Sequence, residues 1–165
     1  MKNILILLLI VAAMFTKPFA AFSQDKTSST TAWLEEYYIV KDALVNSNPT
    51  TAASAAKKLS TLVQTSPAKK PGENQDNNSN SLQQKIQADA NTIAASKDLA
   101  KQRIAFQTLS ESIITLIKTE KQLKPAYIMY CPMKKAYWIS SVEQIKNPYY
   151  GSSMLTCGNV SETLK

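Results

Sequence analysis

The sequence has no histidine, only two cysteines and three glycines, and a single arginine, Arg103, among its 165 residues. Without histidine it cannot form a Ser-His-Asp or Cys-His nucleophile pair, and no imidazole can ligate zinc or haem. The acidic residues Glu35, Glu36 and Glu111 fall on predicted helix faces, where a solvated surface is their ordinary role. We therefore expect a protein that is not an enzyme.

Positive charge is abundant, but its pattern is not that of a nucleic-acid-binding protein. The formal net charge is +7, and apart from the one arginine all basic residues are lysines, scattered along the chain. Arginine clusters, which grip phosphates with two parallel hydrogen bonds, are missing. We expect no nucleic-acid partner.

The N-terminus has the pattern of a secretory signal peptide. Lys2 precedes an unbroken apolar run from Ile4 to Phe15, and a small-x-small cleavage site follows at Ala21-Phe22-Ser23. The run is shorter than the roughly 20 residues that span a bilayer, and no later stretch approaches that length. We expect cleavage after residue 23, export to the periplasm, and a product that does not span the membrane.

The rest of the chain predicts a single domain over residues 32–165, after a flexible tether at 24–31. Apolar residues recur at helical spacing in four segments, and a Pro-, Gly- and Asn-rich mobile loop is predicted for residues 67–80. Four amphipathic helices with short connections favour an all-α fold, an antiparallel four-helix bundle. The predicted helices cover residues 32–46, 51–65, 81–95 and 98–120.

The composition changes after Pro125, where the tail over residues 125–165 becomes rich in aromatic residues. We expect an irregular cap on the bundle, in which Tyr127–Tyr130 and Ala136–Ile139 can pair as a short β-hairpin.

Both cysteines lie in this tail, each close to a methionine. Cys131 and Met133 stand on one side of an Asn147-Pro148 turn, and Met154 and Cys157 stand on the other. A site built from these four sulfurs would select Cu(I) or Ag(I) over hard cations. Candidates for a surrounding shell are Trp138, whose ring face could cover the ion, Tyr130 and Met129.

The same residues allow other interpretations. An exported chain with two cysteines most often forms one disulfide, and a Cys131–Cys157 bond would close a loop of about 25 residues, stabilising the fold by roughly 3 kcal/mol. In that case the tail is a disulfide-stapled structural or interaction module without metal. Two free buried thiols are a third possibility.

Several segments resemble the domain-of-unknown-function family 3347, over residues 33–165. Helical segments contribute generic matches, and four tail segments in a fixed order contribute specific ones. The tail segments are Tyr130-Cys131-Pro132-Met133, Ala136-Tyr137-Trp138-Ile139-Ser140, Asn147-Pro148-Tyr149-Tyr150-Gly151 and Met154-Leu155-Thr156-Cys157-Gly158.

This resemblance implies an exported protein of a Gram-negative bacterium. It also implies a metal-handling context, because the same domain is found appended to periplasmic adaptor subunits of heavy-metal efflux pumps. Such an adaptor, or another periplasmic metal-handling protein, is therefore the expected partner. The family's sulfur positions correspond to Cys131, Met133, Met154 and Cys157 here, whereas Met129 lies outside the motif.

Overall fold

Four helices form the larger part of the computed structural model, which describes residues 29–66, 78–119 and 126–164. Each helix packs against the next one along the chain, and the first also contacts the fourth. This confirms the predicted four-helix bundle. The helices are α1 (Ser29–Val45), α2 (Pro49–Thr65), α3 (Asn78–Ala94) and α4 (Leu99–Thr119).

The helix boundaries follow the predicted ones to within three residues. Residues 29–31 of the predicted tether belong to α1, and residues 78–80 of the predicted mobile loop belong to α3. The remainder of that loop and the predicted signal peptide, residues 1–23, lie outside the described residues. No helix within the described segments has the length and apolar character needed to cross a membrane.

Side-chain caps fix where two of the helices begin. Asn48 accepts a hydrogen bond from the Thr51 amide at 3.0 Å, and Pro49 occupies the first turn of α2, where its missing N–H leaves no bond unmade. Asp98 accepts from the amides of Ala100 and Lys101 at the start of α4. These caps fix the residues at which the α1–α2 and α3–α4 connections end and the next helix begins.

The apolar stripes of the helices meet in one core. Tyr37 of α1 stacks on Phe106 of α4 with ring centroids 5.1 Å apart, and both side chains are fully buried. The buried face of α2 contains Ala52, Ala55 and Ala56, and these small side chains allow α1 and α3 to pack closely against it. The core of the bundle includes Leu44, Ala52, Ala56, Leu59, Val63, Ile86, Ala90, Ile93, Leu109 and Ile113.

The C-terminal tail is a small antiparallel sheet, so the prediction of an all-α fold is wrong in this region. Its strands are β1 (Ala126–Cys131), β2 (Ala136–Ser140) and β3 (Asn159–Leu164), in the order β2-β1-β3. The hairpin of β1 and β2 is confirmed, and β2 packs against α4. The third strand is short, largely exposed and polar, and it forms because β1 offers it a free edge.

Candidate functional site

The register of the sheet brings the two cysteines together. Cys131 is the last residue of β1, and Tyr130, just before it, pairs with Asn159 of β3. Cys157, two residues before β3 begins, therefore lies alongside Cys131, and the two Sγ atoms are 3.6 Å apart. Both cysteines are free thiols in this structure, with Cys131 buried and Cys157 half-buried. The pair can be approached from the Cys157 side.

Backbone amides of the β1–β2 loop point at both sulfurs. The Lys134 amide donates to Cys131 Sγ at 3.4 Å, and the Met133 amide donates to the Cys157 thiol. The pKa of Cys157 is raised, first by its hydrogen bond with Cys131, then by desolvation and by the nearness of a second ionisable sulfur, while the Met133 amide acts in the opposite direction. The neighbouring sulfur of Cys131 thus disfavours the ionised form of Cys157.

The methionines divide into an exposed pair and a buried one. Met133 is 63% exposed and Met154 is 40% exposed, whereas Met129 is fully buried. The Met154 carbonyl accepts a hydrogen bond from the Cys157 amide at 3.1 Å, so both exposed methionines belong to segments that touch Cys157 through their backbones. The backbones of Met133 and Met154 therefore lie next to Cys157 and their side chains are exposed, whereas Met129 lies in the interior.

Trp138 and Tyr130 contact the segment that carries Cys157. Trp138 is fully buried, and an added Cβ at Gly158 would lie 2.8 Å from its Cη2 and 2.9 Å from the Tyr130 carbonyl. Gly158 also has φ +149°, a conformation that side chains rarely adopt. Glycine is thus required next to Cys157. Tyr130 itself is half-buried, and the centroid of its ring lies 4.7 Å from the ring centroid of Tyr137.

Asn147 organises the turn that precedes Cys157, a role that its sequence position did not reveal. It is completely buried, and its side chain donates to the Cys157 carbonyl at 2.6 Å and accepts from the Tyr149 amide at 2.8 Å. Its backbone amide donates to the Leu155 carbonyl. The Asn-Pro pair indicates a turn, but only the folded chain shows that the amide side chain holds the cysteine segment.

Arg103 joins this turn to the bundle. Its Nε donates to the Pro148 carbonyl at 3.0 Å, and its Nη2 donates to the Leu44 carbonyl at 3.1 Å and to Ser47 Oγ at 3.2 Å. One guanidinium therefore donates a hydrogen bond to a carbonyl in the last turn of α1 and another to the Asn147-Pro148 turn of the tail. The signal that could have found it is its standing as the single arginine in a lysine-rich chain.

The thiol pair has a spacing that fits a shared tetrahedral metal ion. Two thiolates bound to one tetrahedral ion at about 2.3 Å each would lie about 3.8 Å apart, close to the observed 3.6 Å. Across the described segments, no group of three or more His, Cys, Asp or Glu side chains could hold a metal. A metal bound here would have two thiolate ligands from cysteine, and further protein ligands would come from Met133 and Met154 or from the backbone.

Comparison with known proteins identifies the family. Residues 33–124 match the model of a protein family of unknown function, DUF3347, and the chain belongs to that family. The match covers α2, α3, α4 and all but the first four residues of α1, and it ends before the sheet, so the tail motifs lie outside it. No curated protein and no solved structure shows significant similarity to the chain.

Proposed function

We propose that this chain binds one Cu(I) or Ag(I) ion between Cys131 and Cys157, and that it carries or buffers this ion in the periplasm. The observation that carries the proposal is the pair of free Sγ atoms 3.6 Å apart, reachable from solvent at Cys157 and flanked by two exposed methionines. Thiolate and thioether sulfur are soft ligands that favour these two ions over calcium, magnesium or manganese.

The chemistry of binding follows from the protonation of the thiols. Both cysteines must lose a proton to bind the ion, and two thiolates with one monovalent cation leave a local charge of −1. The amides of Met133 and Lys134 point at the sulfurs and stabilise this charge. Met133 and Met154 are exposed and unbranched, so each can turn its sulfur toward the ion or away from it.

The surroundings of the protein belong to the same proposal. Residues 1–23 have the pattern of a signal peptide, which supports a periplasmic location. The resemblance to the family as a whole supports a heavy-metal efflux adaptor or another metal-handling protein as the partner. The function is transfer or storage of the ion without enzymatic turnover, because the proposal needs only ligand exchange.

The experiment is a Cu(I) titration of the reduced mature protein against a competing chelator. We expect one tightly held ion, its loss in the Cys131→Ser/Cys157→Ser double variant, and weaker binding in Met133→Leu or Met154→Leu. Met129→Leu is the matched control, since it changes a buried methionine of the same tail, and it should leave the affinity unchanged. Stoichiometric Cu(I) in the double cysteine variant would refute the site.

The pH dependence provides a second measurement on the same samples. Because the pKa of Cys157 is raised, protons compete with the ion, and the apparent affinity should fall as the pH falls. Each proton that the ion displaces gives a loss on the order of tenfold per pH unit. A site formed by methionine sulfur alone would show no such dependence.

The second candidate is a disulfide-stapled interaction module without metal, and the same 3.6 Å separation favours it, because the two sulfurs need only a small movement to bond. Thiol titration of protein isolated from its native compartment separates the two functions. Two free thiols that disappear on addition of Cu(I) support the carrier, and a lack of titratable thiols in metal-free protein supports the staple.

A further inference from the structure

Exposed apolar side chains occur in both segments that carry the thiol pair. Among the described residues, seven large hydrophobic side chains are exposed, and three of them lie within three residues of a cysteine. Isolated exposed apolar residues are ordinary, but several of them beside one site are typical of a surface that contacts another molecule. The three residues are Met133, Met154 and Leu155.

Three lysines belong to the same part of the chain as this apolar group. Lys134 and Lys135 lie in the β1–β2 loop, and Lys146 lines, together with Leu155, a groove of about 330 Å³ that reaches the end of α1. Among the described residues these three lysines form no ion pair, whereas Lys118 pairs with Glu162. We call the three apolar residues and the three lysines the sulfur-rim surface.

Transfer of an ion between proteins requires the ligands of the second protein to reach the first ion. The open side of the thiol pair is that of Cys157, where the Met133 amide and the Met154 carbonyl make their contacts. Both methionines are members of the sulfur-rim surface, so a protein that exchanges the ion must dock there.

We infer that the sulfur-rim surface docks a metal-exchanging protein whose own soft-ligand site has an apolar centre and an acidic rim. Between residues 131 and 157 the chain has three lysines and one acidic residue, Glu143. This positive rim steers carboxylates toward the thiols, while the apolar group buries against the centre of the partner. The inference rests on the proposed function, because the docked partner receives or delivers the same ion.

The test measures Cu(I) transfer from the loaded protein to two synthetic peptides by stopped flow. Both peptides contain the same pair of cysteines, one flanked by four glutamates and the other by four lysines. Each is tested against wild type, the Lys135→Glu/Lys146→Glu variant, and a control Lys57→Glu/Lys58→Glu variant. The control changes the net charge equally at exposed positions of α2, outside the sulfur-rim surface.

At low ionic strength, we expect the Lys135→Glu/Lys146→Glu variant to slow transfer to the acidic peptide by about tenfold and to speed transfer to the basic peptide. The control should leave the ratio of the two rates near that of wild type, and salt should remove the difference. Equal changes in both variants, or no change in either, would overturn the docking surface.

The preparation of the loaded protein separates the two proposals. If the wild-type protein takes up no Cu(I), the proposed function fails and the docking surface fails with it. If the protein and both lysine variants load one ion with equal affinity, but the peptide rates show no charge preference, only the docking surface fails. An acidic partner is supported when loading is equal and the rates separate.

Discussion

The helical bundle and the sulfur-bearing sheet are held together in different ways. In the bundle, many buried apolar side chains share the packing, so no single contact defines the fold. In the tail, the position of Cys157 depends on individual polar groups, namely the side chain of Asn147 and the guanidinium of Arg103. The bundle should therefore tolerate conservative substitution, whereas the site should respond to the loss of single hydrogen bonds.

The family relationship divides the chain at the same place. The match to DUF3347 covers residues 33–124, which contain the bundle except for the first four residues of α1, and every sulfur of the proposed site lies beyond it. The family match therefore relates only the bundle of this chain to other members of the family. The proposed chemistry depends on the tail, and experiments that separate the two regions are the most informative.

The largest effect is expected where the two regions meet. Phe106 stacks on Tyr37, and the centroid of its ring lies 5.9 Å from that of Tyr149 in the tail. Phe106→Ala therefore removes packing from both regions. We expect a loss of about 3–5 kcal/mol in the free energy of unfolding. Denaturant unfolding followed by helical circular dichroism should show the loss, and thiol exposure should follow the same transition.

The control for this variant is Ile104→Ala in the same helix, where the side chain is 62% exposed. It should change stability by less than about 0.5 kcal/mol. If helix loss and thiol exposure separate in Phe106→Ala, the two regions do not unfold as one unit.

The next effect should loosen the tail more than the bundle. Asn147→Ala leaves the Tyr149 amide and the Cys157 carbonyl without their buried partner, and we expect a loss of about 2–4 kcal/mol confined largely to the tail. Thiol reagents should react faster with Cys157, while the helical signal at room temperature stays unchanged. Asn159→Ala, an exposed asparagine of the same tail, is the control. Unaltered thiol reactivity would contradict the role of Asn147.

A smaller effect should follow from changing the shape of a cation while keeping its charge. Lys at position 103 cannot donate to Pro148, Leu44 and Ser47 with the geometry of the guanidinium, so Arg103→Lys should destabilise by about 1–2 kcal/mol. Thermal unfolding measures this, and Lys101→Met on an exposed position of α4 is the control. Equal melting temperatures for Arg103→Lys and wild type would mean that charge alone joins the tail to the bundle.

The smallest expected effect concerns how the stability of the bundle depends on pH through Asp89. Desolvation by burial raises the pKa of Asp89, with Glu111 adding to the rise and Thr108 and Lys85 opposing it. A folded-state pKa above the unfolded one means that stability is lost as the pH rises from the ordinary aspartate value to the raised one. Asp89→Asn should therefore stabilise at pH 7 and not at pH 3. Since Asp89 is only half-buried, solvent screening keeps the gain below about 1 kcal/mol.

The melting temperatures of Asp89→Asn and wild type at the two pH values measure this difference directly. A gain of the same size at pH 3 would show that the pKa of Asp89 is not its source.

Periodicity predicted the bundle well because each helix has its own pattern. Leu59, Val63 and the alanines of α2 recur every three or four residues, and this places them on one face whatever surrounds the helix. The hairpin was also predictable, since both strands are rich in aromatic and branched residues. Strand β3 was not, because its polar sequence becomes a strand only when the edge of β1 supplies hydrogen-bond partners.

The candidate site was predicted in part. The sequence identified Cys131 and Cys157 as a pair, and the structure brings their sulfurs together. It did not identify Asn147, Gly158 or Arg103 as the groups that position Cys157. Their contacts join residues from distant parts of the chain or depend on a backbone angle, and neither property appears in a local pattern.

The sequence by itself determined that both cysteines lie in the tail, each near a methionine, and that no histidine can join them, and it determined the helical scaffold because helical periodicity is a local property. Tertiary structure decided that the thiols meet, that Met133 and Met154 are exposed while Met129 is buried, and that Arg103 holds the turn. These features depend on strand register and on contacts between distant segments, which are fixed only when the whole chain packs.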